Sequence, residues 1–326
     1  MHNLQALHTF GLAHSAKRIL PLGEGISDFG TERFWILGQG SNCVFVEDFD
    51  GVVVQVNHAG KKITELDDHY LLEVNAGEDW HSLVQFCTEK QLYGFENLAL
   101  IPGSVGAAPI QNIGAYGVEI NRYINSVEFF EISTGQTHRL SNEECHFGYR
   151  DSIFKKELFG KVVITRVLFS LPKAWQPVNH YGELAKLNSP SATDIFNEVI
   201  RIRQEKLPDP SVIGNAGSFF KNPLVSKKHY AALQCEWDQL PSYAVDQSSV
   251  KLPAAWLIDK LGFKGKKVGG IQCHPRQALV LTNDGTGTGE QLLELAREIQ
   301  QQVNDVFSIS LENEVRLVGK EGLITL

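Results

Sequence analysis

The chain has 326 residues, of which 43% are hydrophobic and 21% charged, and its formal net charge is -8. This length predicts two or three domains with ample cores, and this composition is typical of a soluble globular protein. The acidic balance argues against a nucleic-acid partner, which would require a basic face. Small anionic ligands are not excluded, because a few local cations and backbone amides suffice to bind a phosphate.

The sequence predicts a cytoplasmic protein without a metal, on the basis of its cysteine count, its histidine spacing and the shortness of its apolar runs. The five cysteines are odd in number and form no Cys-x-x-Cys pair, so we expect free thiols in a reducing compartment. No apolar run approaches the ~20 residues of a membrane-spanning helix, and the first residues lack the apolar core of a signal peptide. The eleven histidines show no metal-ligand spacing, so we predict no metal site.

The first half of the chain predicts short strands and one helix. Segments 34–37, 44–46, 52–56 and 70–75 are apolar or β-branched and are separated by turn residues. Helical spacing of Leu83, Phe86 and Cys87 predicts a helix from about 79 to 92, with Asp79 as its N-cap. A hairpin with strands 127–132 and 137–140 is expected next, followed by a long strand over 162–171.

The second half predicts longer helices. Ile195, Val199 and Ile202 mark a helix that stops at Pro208, and the stiff segment 207–210 predicts a domain boundary. A short helix is expected over 253–261 and a longer one over 288–307, where Thr288 and Gln291 match a capping box. The apolar stripe of the longer helix consists of Leu292, Leu295, Ala296, Ile299, Val303 and Val306. Segment 309–318 predicts a strand, so the whole pattern indicates an α+β protein.

Two glycine-rich segments indicate a bound ligand. One is 38–42 (Gly-Gln-Gly-Ser-Asn), and the other is 101–117, which contains four glycines, two prolines and no charged residue. Glycine lets the backbone approach a ligand closely, and consecutive amides in such turns form a nest for a pyrophosphate. Tight turns are the alternative interpretation. Neither segment fits the strand–turn–helix fingerprint G-x-G-x-x-G, so a dinucleotide would not bind in Rossmann fashion.

Together these segments resemble the FAD-pyrophosphate segments of the vanillyl-alcohol-oxidase-type flavin fold. Segments 147–152 (Phe-Gly-Tyr-Arg-Asp-Ser), 214–223 (Gly-Asn-Ala-Gly-Ser-Phe-Phe-Lys-Asn-Pro) and 311–316 (Leu-Glu-Asn-Glu-Val-Arg) resemble UDP-N-acetylenolpyruvoylglucosamine reductases. The likeness extends from Thr9 to Val318. Segment 181–184 (Tyr-Gly-Glu-Leu) is similar to the extra loop of the longer, type I members, whose tyrosine closes over the substrate.

The resemblance implies an α+β, three-domain flavoenzyme with a vanillyl-alcohol-oxidase-type (PCMH-type) FAD-binding fold and a smaller C-terminal α+β substrate domain. The implied parts are a first FAD-binding subdomain at 1–60, to which 318–326 returns, a second at 61–205 and the substrate-binding domain at 206–317. FAD would be non-covalent and the chain a monomer. The residues implied to bind FAD are Gly38, Gly40, Ser41, Asn42, Ile101, Pro102, Gly103, Ser104, Gly106, Gln111, Asn112, Gly114, Ala115 and Tyr116.

The resemblance also implies a reaction in two halves. NADPH reduces the flavin and leaves, and the reduced flavin gives a hydride to the terminal alkene carbon of UDP-N-acetylglucosamine enolpyruvate. The product is UDP-N-acetylmuramate, a precursor of peptidoglycan. Negative charge develops on the neighbouring carbon and its carboxylate, so the site requires a fixed cation, hydrogen-bond donors and a positioned acid.

Three residues are expected to meet this requirement. Arg150 would hold the carboxylate with two parallel hydrogen bonds, and an ion pair with Asp151 is the alternative. Ser218 would donate the proton, although serine more often caps a turn or a helix. Glu314 would assist when protonated or when it orients a donor, and pairing with Arg316 is the alternative.

Five further residues are implied to contact the substrate or NADPH. For two of them, an ordinary structural role is the alternative. Lys206 could be an ordinary lysine at a helix end, and Tyr149 could be a core aromatic. The five are Tyr149, Tyr181, Lys206, Asn222 and Gln277. The basic turn with Lys264, Lys266 and Lys267 is interpreted as a solvated loop.

Two other functions are compatible with the glycine segments. A flavin-dependent alcohol oxidase of the same fold would use O2 and could tether its flavin through His58 or Cys43. A nucleotide-sugar binding module would keep the glycine segments without needing Arg150, Ser218 and Glu314 together. The segment around Ser218 favours the reductase over both alternatives.

Overall fold

The computed structural model describes residues 1–22 and 32–326, which fold into two compact units. The first unit comprises Met1–Lys17, Gly40–Asp50 and Lys206–Leu326, and the second comprises Arg18–Gln39 and Gly51–Glu205. Each unit encloses its own cluster of buried apolar side chains. Neither unit is therefore one continuous segment of the chain.

Five α-helices occur in the residues that the structure describes: α1 Trp80–Glu89, α2 Ala192–Lys206, α3 Lys227–Glu236, α4 Ala254–Lys260 and α5 Gly289–Phe307. Two begin at the caps that the sequence predicts. The Asp79 carboxylate accepts a hydrogen bond from the Ser82 amide at 2.7 Å, and Thr288 and Gln291 form a capping box. Both devices satisfy amides that the first helical turn leaves without an intrahelical partner.

An antiparallel five-stranded sheet organises the second unit. Its strands, in spatial order, are Gln136–Ser141, Ile124–Glu131, Val162–Pro172, His69–Asn75 and Lys61–Glu65. Phe34–Leu37 pairs in parallel with Phe49–Gln55, and Gly114–Ala115 pairs with Val118–Glu119. The apolar faces of α1 and α2 share one core with this sheet. Both helices are therefore stabilised mainly by the apolar surface that they bury.

The first unit contains smaller sheets. One has the order Gly214–Ser218, Val280–Asn283, Ile271–Cys273 and Lys267–Val268, and another has the order Leu224–Ser226, Ser249–Lys251 and Tyr243–Ala244. A third has the order Gly322–Ile324, Arg316–Gly319 and Cys43–Phe45. His2–Asn3 pairs with the beginning of Ser15–Pro21. Helix α5 buries its apolar stripe in the core of this unit.

The two units are a coarser division than the three domains inferred from the resemblance. One unit boundary falls between Glu205 and Lys206, where the substrate-binding domain was expected to begin. Arg316–Gly319 pairs with Cys43–Phe45, so the end of the chain adjoins a segment of the first sixty residues. The division into three parts stays a prediction.

The α+β class is confirmed, and the differences lie in single elements. The strand expected over 309–318 is wrong in its first part, because pairing begins only at Arg316. Ile309, Leu311 and Val315 are apolar because they fill the core, outside any strand. In α5, Val306 is 44% exposed, and Phe307 takes the buried position at the end of the stripe.

The sequence analysis missed elements whose residues face solvent. The edge strand Lys61–Glu65 is largely exposed, and α3 buries a single residue, Leu233. Neither segment carries the apolar periodicity by which strands and helices are recognised in a sequence. None of the helices in residues 1–22 and 32–326 has the length and apolar character needed to cross a membrane.

His8 is a buried histidine whose charge would destabilise the first unit. The side chain is 4% exposed, and its Nε2 lies 3.4 Å from the Leu12 carbonyl oxygen. Its Nδ1 has no hydrogen-bond partner among residues 1–22 and 32–326. Burial lowers the pKa of His8 to about 4, although the hydrogen bond with the Leu12 carbonyl acts in the opposite direction. Folding therefore requires the neutral ring.

This depressed pKa predicts a loss of stability in mild acid. The unfolded chain takes up a proton near pH 6.5 and the folded chain only near pH 4, so the stabilisation is complete above pH 6.5 and is lost as the pH falls. For His8→Gln, the fall in unfolding free energy between pH 7 and pH 5 should be about 2 kcal/mol smaller than in the wild type. Urea unfolding at both pH values measures this, and equal falls in the two proteins would contradict it.

Candidate active site

Gly38 and Gln39, the start of the first glycine segment, lie beside Ser104 of the loop 101–117 and Asp79 in the second unit. A side chain at Gly38 would overlap the Ser104 hydroxyl, and Ser104 forms a β-bridge with Asp79, the N-cap of α1. Gln39 Nε2 donates to Asp79 Oδ2 at 3.0 Å. Glycine at position 38 is thus required by close packing. The arrangement brings Gly38 and Ser104, both predicted to bind FAD, next to the N-terminus of a helix, where anions bind favourably.

Within the loop, two amides are already bonded to the backbone. The Val105 amide donates to the Glu78 carbonyl and the Gly106 amide to the Ala76 carbonyl, both at 2.9 Å. A side chain at Gly106 would overlap the Ala76 methyl group. Gly106 is therefore needed for packing, and an anion nest in this turn would have to use other amides.

Gly40, Ser41 and Asn42 belong to the first unit. Gly40 has a φ of +65°, and a side chain there would overlap the Leu7 carbonyl oxygen. Asn42 Nδ2 donates to the Glu314 carbonyl at 3.3 Å, and the Arg316 amide donates to the Asn42 carbonyl at 3.0 Å. The tight-turn interpretation of this segment therefore holds for Gly40, and Asn42 joins the segment to the strand that follows Glu314.

Segment 148–152, which carries Arg150, is tied to the glycine loop by three side chains. Arg150 packs closely against Gly114. A Cβ atom on that glycine would lie 3.4 Å from Nη1 of the Arg150 guanidinium. The three hydrogen bonds run from Asn112 Nδ2 to Gly148 O (3.1 Å), from Arg150 Nη2 to Gly114 O (3.2 Å) and from Ser152 Oγ to Ile110 O (2.7 Å). The loop predicted to bind FAD therefore positions the predicted catalytic arginine.

Arg150 has an unusual backbone conformation. Its φ is +54°, in the left-handed region that residues other than glycine seldom occupy. The guanidinium lies 5.6 Å from the centroid of the Tyr149 ring. Asp151, the alternative ion-pair partner of Arg150, forms a salt bridge with Lys156. Strained conformations of this kind cluster at functional sites, which agrees with the role inferred from the resemblance.

The Asn112 side chain forms three hydrogen bonds within the protein. It is buried, and Nδ2 donates to Glu119 Oε2 at 3.0 Å as well as to the Gly148 carbonyl. Its Oδ1 accepts from the Asn121 amide at 3.0 Å. Both hydrogens of its side-chain amide are donated, so an FAD contact through this side chain would have to use Oδ1 as the acceptor.

A buried asparagine that the sequence analysis missed joins the glycine loop to the tyrosine loop. Asn97 Nδ2 donates to the Tyr116 carbonyl at 2.9 Å and to the Val178 carbonyl at 2.7 Å. The rings of Tyr116 and Tyr181 meet edge to face, with 6.5 Å between their centroids. The available signal was the pair Glu96 and Asn97 between apolar residues of segment 95–99, because buried polar groups require partners.

Ser218 and Glu314 lie on neighbouring extended segments of the first unit. Ser218 ends the strand Gly214–Ser218 opposite Val280, and the Glu314 amide donates to the carbonyl of the next residue, Phe219, at 2.8 Å. The Ser218 hydroxyl forms no hydrogen bond within the described part of the chain, so it caps neither a turn nor a helix there. The sequence-predicted acid and carboxylate are thus brought together.

The aromatic residues after Ser218 anchor this segment. Phe219 and Phe220 are each 1% exposed, their ring centroids are 5.0 Å apart, and both rings belong to the core of the first unit. They hold the backbone at Ser218 in place by burying large apolar surfaces.

The predicted substrate contacts have different surroundings. Lys206 is the exposed last residue of α2, and Tyr149 is only partly buried and lies outside the apolar core of its unit. Asn222 Oδ1 accepts from the Ala254 amide at 2.9 Å and so supports the start of α4. The Gln277 amide donates to His274 Nδ1 at 3.2 Å. Their roles toward a substrate stay predictions.

The charged and metal-ligating residues outside these segments have simpler explanations. In the basic turn, Lys264 pairs with Asp259 at 2.6 Å and Lys266 pairs with Glu298, which agrees with a solvated loop. Among residues 1–22 and 32–326, no three His, Cys, Asp or Glu side chains are grouped as metal ligands. None of the five cysteines, all of which lie in the described part of the chain, forms a disulfide.

The glycine-lined, uncharged loop at the start of a helix fits a bound flavin nucleotide, and comparison with known proteins identifies the class. Residues 30–141 match the model of an FAD-binding domain. The chain is thus a flavoprotein with an α+β FAD-binding fold.

Residues 209–318 match the C-terminal domain of UDP-N-acetylenolpyruvoylglucosamine reductase. Proteins of that name are similar over nearly their whole length. The relative from Pseudoalteromonas atlantica is 55% identical, over 100% of this chain and 96% of its own, and that from Escherichia coli K12 is 43% identical, over 99% and 98%. The chain therefore belongs to the UDP-N-acetylenolpyruvoylglucosamine reductase family.

A solved structure shares the fold. The crystal structure of the reductase from Thermus caldophilus matches 97% of each chain with a TM-score of 0.68 at 24% identity. The expected family and fold class are thereby confirmed.

Proposed function

We propose that the protein reduces UDP-N-acetylglucosamine enolpyruvate to UDP-N-acetylmuramate, with non-covalent FAD as cofactor and NADPH as reductant. The observation that carries this proposal is full-length similarity, up to 55% identity, to reductases named for this substrate. The product would serve peptidoglycan precursor synthesis in the cytoplasm. The protein would act as a monomer, without a nucleic-acid, membrane or metal partner.

FAD would be held by the glycine segments 38–42 and 101–117. Packing requires glycine at Gly38 and Gly106, which lets the two segments lie close to each other and to the strand end at Ala76. When bound and reduced, FAD supplies the hydride that adds to the terminal alkene carbon of the substrate. The protein's own residues then have to stabilise charge and deliver a proton.

Arg150 would stabilise the developing charge. Its guanidinium stays protonated in a protein and matches the geometry of a carboxylate. The hydrogen bond to the Gly114 carbonyl fixes one end of the guanidinium at the glycine loop. A cation held in advance need not reorganise as charge develops, which is how electrostatic stabilisation lowers a barrier.

Ser218 would donate the proton to the carbon that carries the carboxylate, next to the carbon that receives the hydride. A serine hydroxyl is a weak acid, so it requires a strongly polar surrounding in the transition state. Glu314 lies on the neighbouring segment and would orient a donor or act in its protonated form. Tyr149, Tyr181, Lys206, Asn222 and Gln277 would contact the substrate or NADPH.

A spectroscopic experiment tests this function directly. The purified protein is reduced with one equivalent of NADPH without oxygen, and UDP-N-acetylglucosamine enolpyruvate is then added. We expect a yellow protein that bleaches and regains its colour only with the sugar nucleotide. Colour that returns only with oxygen would favour the oxidase alternative, and flavin that stays with the protein after acid precipitation would indicate a covalent tether. A protein unable to take up FAD would refute the proposal.

Replacement of Tyr181 should weaken sugar-nucleotide binding and spare the flavin. Tyr181 is 45% exposed, and its ring contacts Tyr116 at the end of the glycine loop. In Tyr181→Ala, the dissociation constant of UDP-N-acetylglucosamine enolpyruvate should rise about tenfold, while that of FAD stays within about twofold. Tyr181→Phe removes only the hydroxyl, so comparing the two variants distinguishes its contribution to binding from that of the aromatic ring.

Leu66→Ala is the matched control, because Leu66 is similarly exposed at 40% and lies in the same unit, directly after the edge strand Lys61–Glu65. Both dissociation constants should be unchanged in this variant. Loss of FAD from Tyr181→Ala, with normal sugar-nucleotide binding, would show that the loop was assigned wrongly.

A further inference from the structure

Glu96 is a buried carboxylate in the short turn Glu96–Leu98, between α1 and the glycine loop. The residue is 3% exposed. Its Oε2 accepts a hydrogen bond from the Gly94 amide at 2.7 Å, and its Oε1 accepts one from the indole N–H of Trp175. Within the described part of the chain it forms no salt bridge. Burying a carboxylate without a paired cation is costly, so its presence here calls for an explanation.

The surroundings of Glu96 suit the ionised carboxylate. Each of its two oxygens faces an N–H donor, whereas a glutamine would turn its own donor group toward one of them. Burial raises the pKa of Glu96, although hydrogen bonds from backbone amides and from Trp175 act in the opposite direction. The carboxylate therefore depends on Trp175, and a hydrogen bond to a charged acceptor is stronger than one between neutral groups.

Trp175 belongs to the loop 173–191, which connects the strand Val162–Pro172 to α2 and carries Tyr181. Its ring also packs against Tyr93, with 5.6 Å between the ring centroids. Three residues after Trp175, the Val178 carbonyl accepts the 2.7 Å hydrogen bond from Asn97. The segment 93–97 thus anchors the first part of this loop at two points.

The anchored part of the loop directly precedes Tyr181. Val178 is 9% exposed, whereas Tyr181 is 45% exposed. A Cβ atom on Gly117 would lie 3.5 Å from Val178 Cγ1 and from Tyr181 Cβ, so both residues pack beside the end of the glycine loop. Three residues of extended chain reach about 10 Å at most, so an anchor at Val178 limits the positions available to the Tyr181 ring.

We propose that Glu96 is a positioning residue of the substrate site, which holds Trp175 and thereby places the loop that carries Tyr181. This inference rests on the proposed function, in which Tyr181 contacts the sugar nucleotide. Glu96 and Trp175 need not touch the substrate themselves. Fixing the start of the loop leaves it fewer conformations to lose when Tyr181 engages the ligand, so the ligand binds more tightly.

Trp175→Phe tests the anchor, because it removes the indole N–H and keeps an aromatic ring beside Tyr93. Oxidised holoenzyme is titrated with UDP-N-acetylglucosamine enolpyruvate, and the flavin absorbance reports binding. The dissociation constant should rise by about threefold to tenfold, while that of FAD stays within about twofold. Trp35→Phe is the control and should change neither constant. Trp35 lies in the same unit and packs edge to face on Phe159, and its indole N–H forms no hydrogen bond among the described residues.

A double-mutant cycle shows whether the anchor acts through Tyr181. In the Tyr181→Ala background, Trp175→Phe should raise the dissociation constant of the sugar nucleotide by less than about 1.5-fold, because the side chain that it positions is gone. If the two losses multiply in the double variant, Trp175 and Glu96 only support the fold, and the inference is overturned.

Glu96→Gln combined with Trp175→Phe separates positioning from stability. The glutamine oxygen can still accept from the Gly94 amide, and its amino group can face the phenyl ring, so no buried charge is left without its donor. This double variant should require more urea to unfold than Trp175→Phe and should bind the sugar nucleotide just as weakly. Affinity that returns to the wild-type value together with stability would contradict a positioning role.

Hydrogen exchange of the ligand-free holoenzyme gives a result that is independent of the proposed function. The amides of Leu184 and Leu187, which donate to carbonyls within the loop, should exchange about tenfold faster in Trp175→Phe, while those of the hairpin 124–141 stay unchanged. Unchanged exchange in the loop would show that Glu96 does not anchor it. Wild-type holoenzyme that fails to bind the enolpyruvyl sugar would instead refute the proposed function, and with it the role of the anchor toward this substrate.

Discussion

Ser218→Ala should slow reoxidation of the reduced flavin by UDP-N-acetylglucosamine enolpyruvate by about 10² to 10⁴-fold, the usual contribution of a general acid. Reduction by NADPH should stay within about twofold, because no proton is delivered to the sugar in that half-reaction. The two half-reactions are measured separately by anaerobic stopped-flow absorbance.

The surroundings of Ser218 make this variant informative. The hydroxyl forms no hydrogen bond within the described residues, and the backbone is anchored by the buried rings of Phe219 and Phe220. Removing the oxygen should therefore change the free energy of unfolding by less than about 0.5 kcal/mol. A large kinetic effect could then not be attributed to misfolding.

Ser242→Ala provides the matched control. Ser242 belongs to the same unit, is also partly buried and forms no hydrogen bond in the parts of the chain that are described. It should reproduce wild-type rates in both half-reactions. If Ser218→Ala slows both half-reactions equally, Ser218 has a structural role and another group is the acid.

Arg150→Met should have an effect of similar size on the same half-reaction. Loss of the cation would leave the developing carboxylate charge without its main stabilising group, which predicts slowing by about 10² to 10³-fold. Arg150→Lys should recover only part of the rate, because an ammonium cannot form two parallel hydrogen bonds.

Comparing the two Arg150 variants controls for any effect of the unusual backbone conformation. The φ of +54° is unfavourable for arginine, methionine and lysine alike, so any rate difference between the variants reports the side chain. Arg139→Met is the control, since Arg139 pairs with Glu128 on the surface of the same unit and should affect stability by less than about 1 kcal/mol. Lysine that restores the full rate would show that charge alone suffices.

Much of the local structure follows from the sequence because its determinants are local. Asp79 caps α1, and Thr288 with Gln291 caps α5, since a cap involves residues within one turn of each other. The stripe of Ile195, Val199 and Ile202 is buried as its helical spacing predicts. Segments 38–42 and 101–117, together with the segment around Ser218, identified the family by resemblance.

Features that depend on tertiary packing were either predicted wrongly from the sequence or not predicted at all. Ile309, Leu311 and Val315 are apolar because they fill a core, which sequence periodicity cannot distinguish from pairing in a strand. Phe219 and Phe220 belong to the same core, and only their packing shows that they anchor Ser218. Asn97 bonds to carbonyls 19 and 81 residues away in the chain, a distance at which no local pattern operates.

The sequence by itself thus determined the α+β class and the capped helices, and its resemblance to the family predicted the residues that carry the chemistry. The tertiary structure decided which of these residues meet: Glu314 beside the segment of Ser218, and Arg150 beside Gly114. It also showed that both hydrogens of the Asn112 side-chain amide are donated to structural partners. The physical reason is that caps and helical stripes depend on neighbours along the chain, whereas burial and the pairing of polar groups depend on contacts between distant segments.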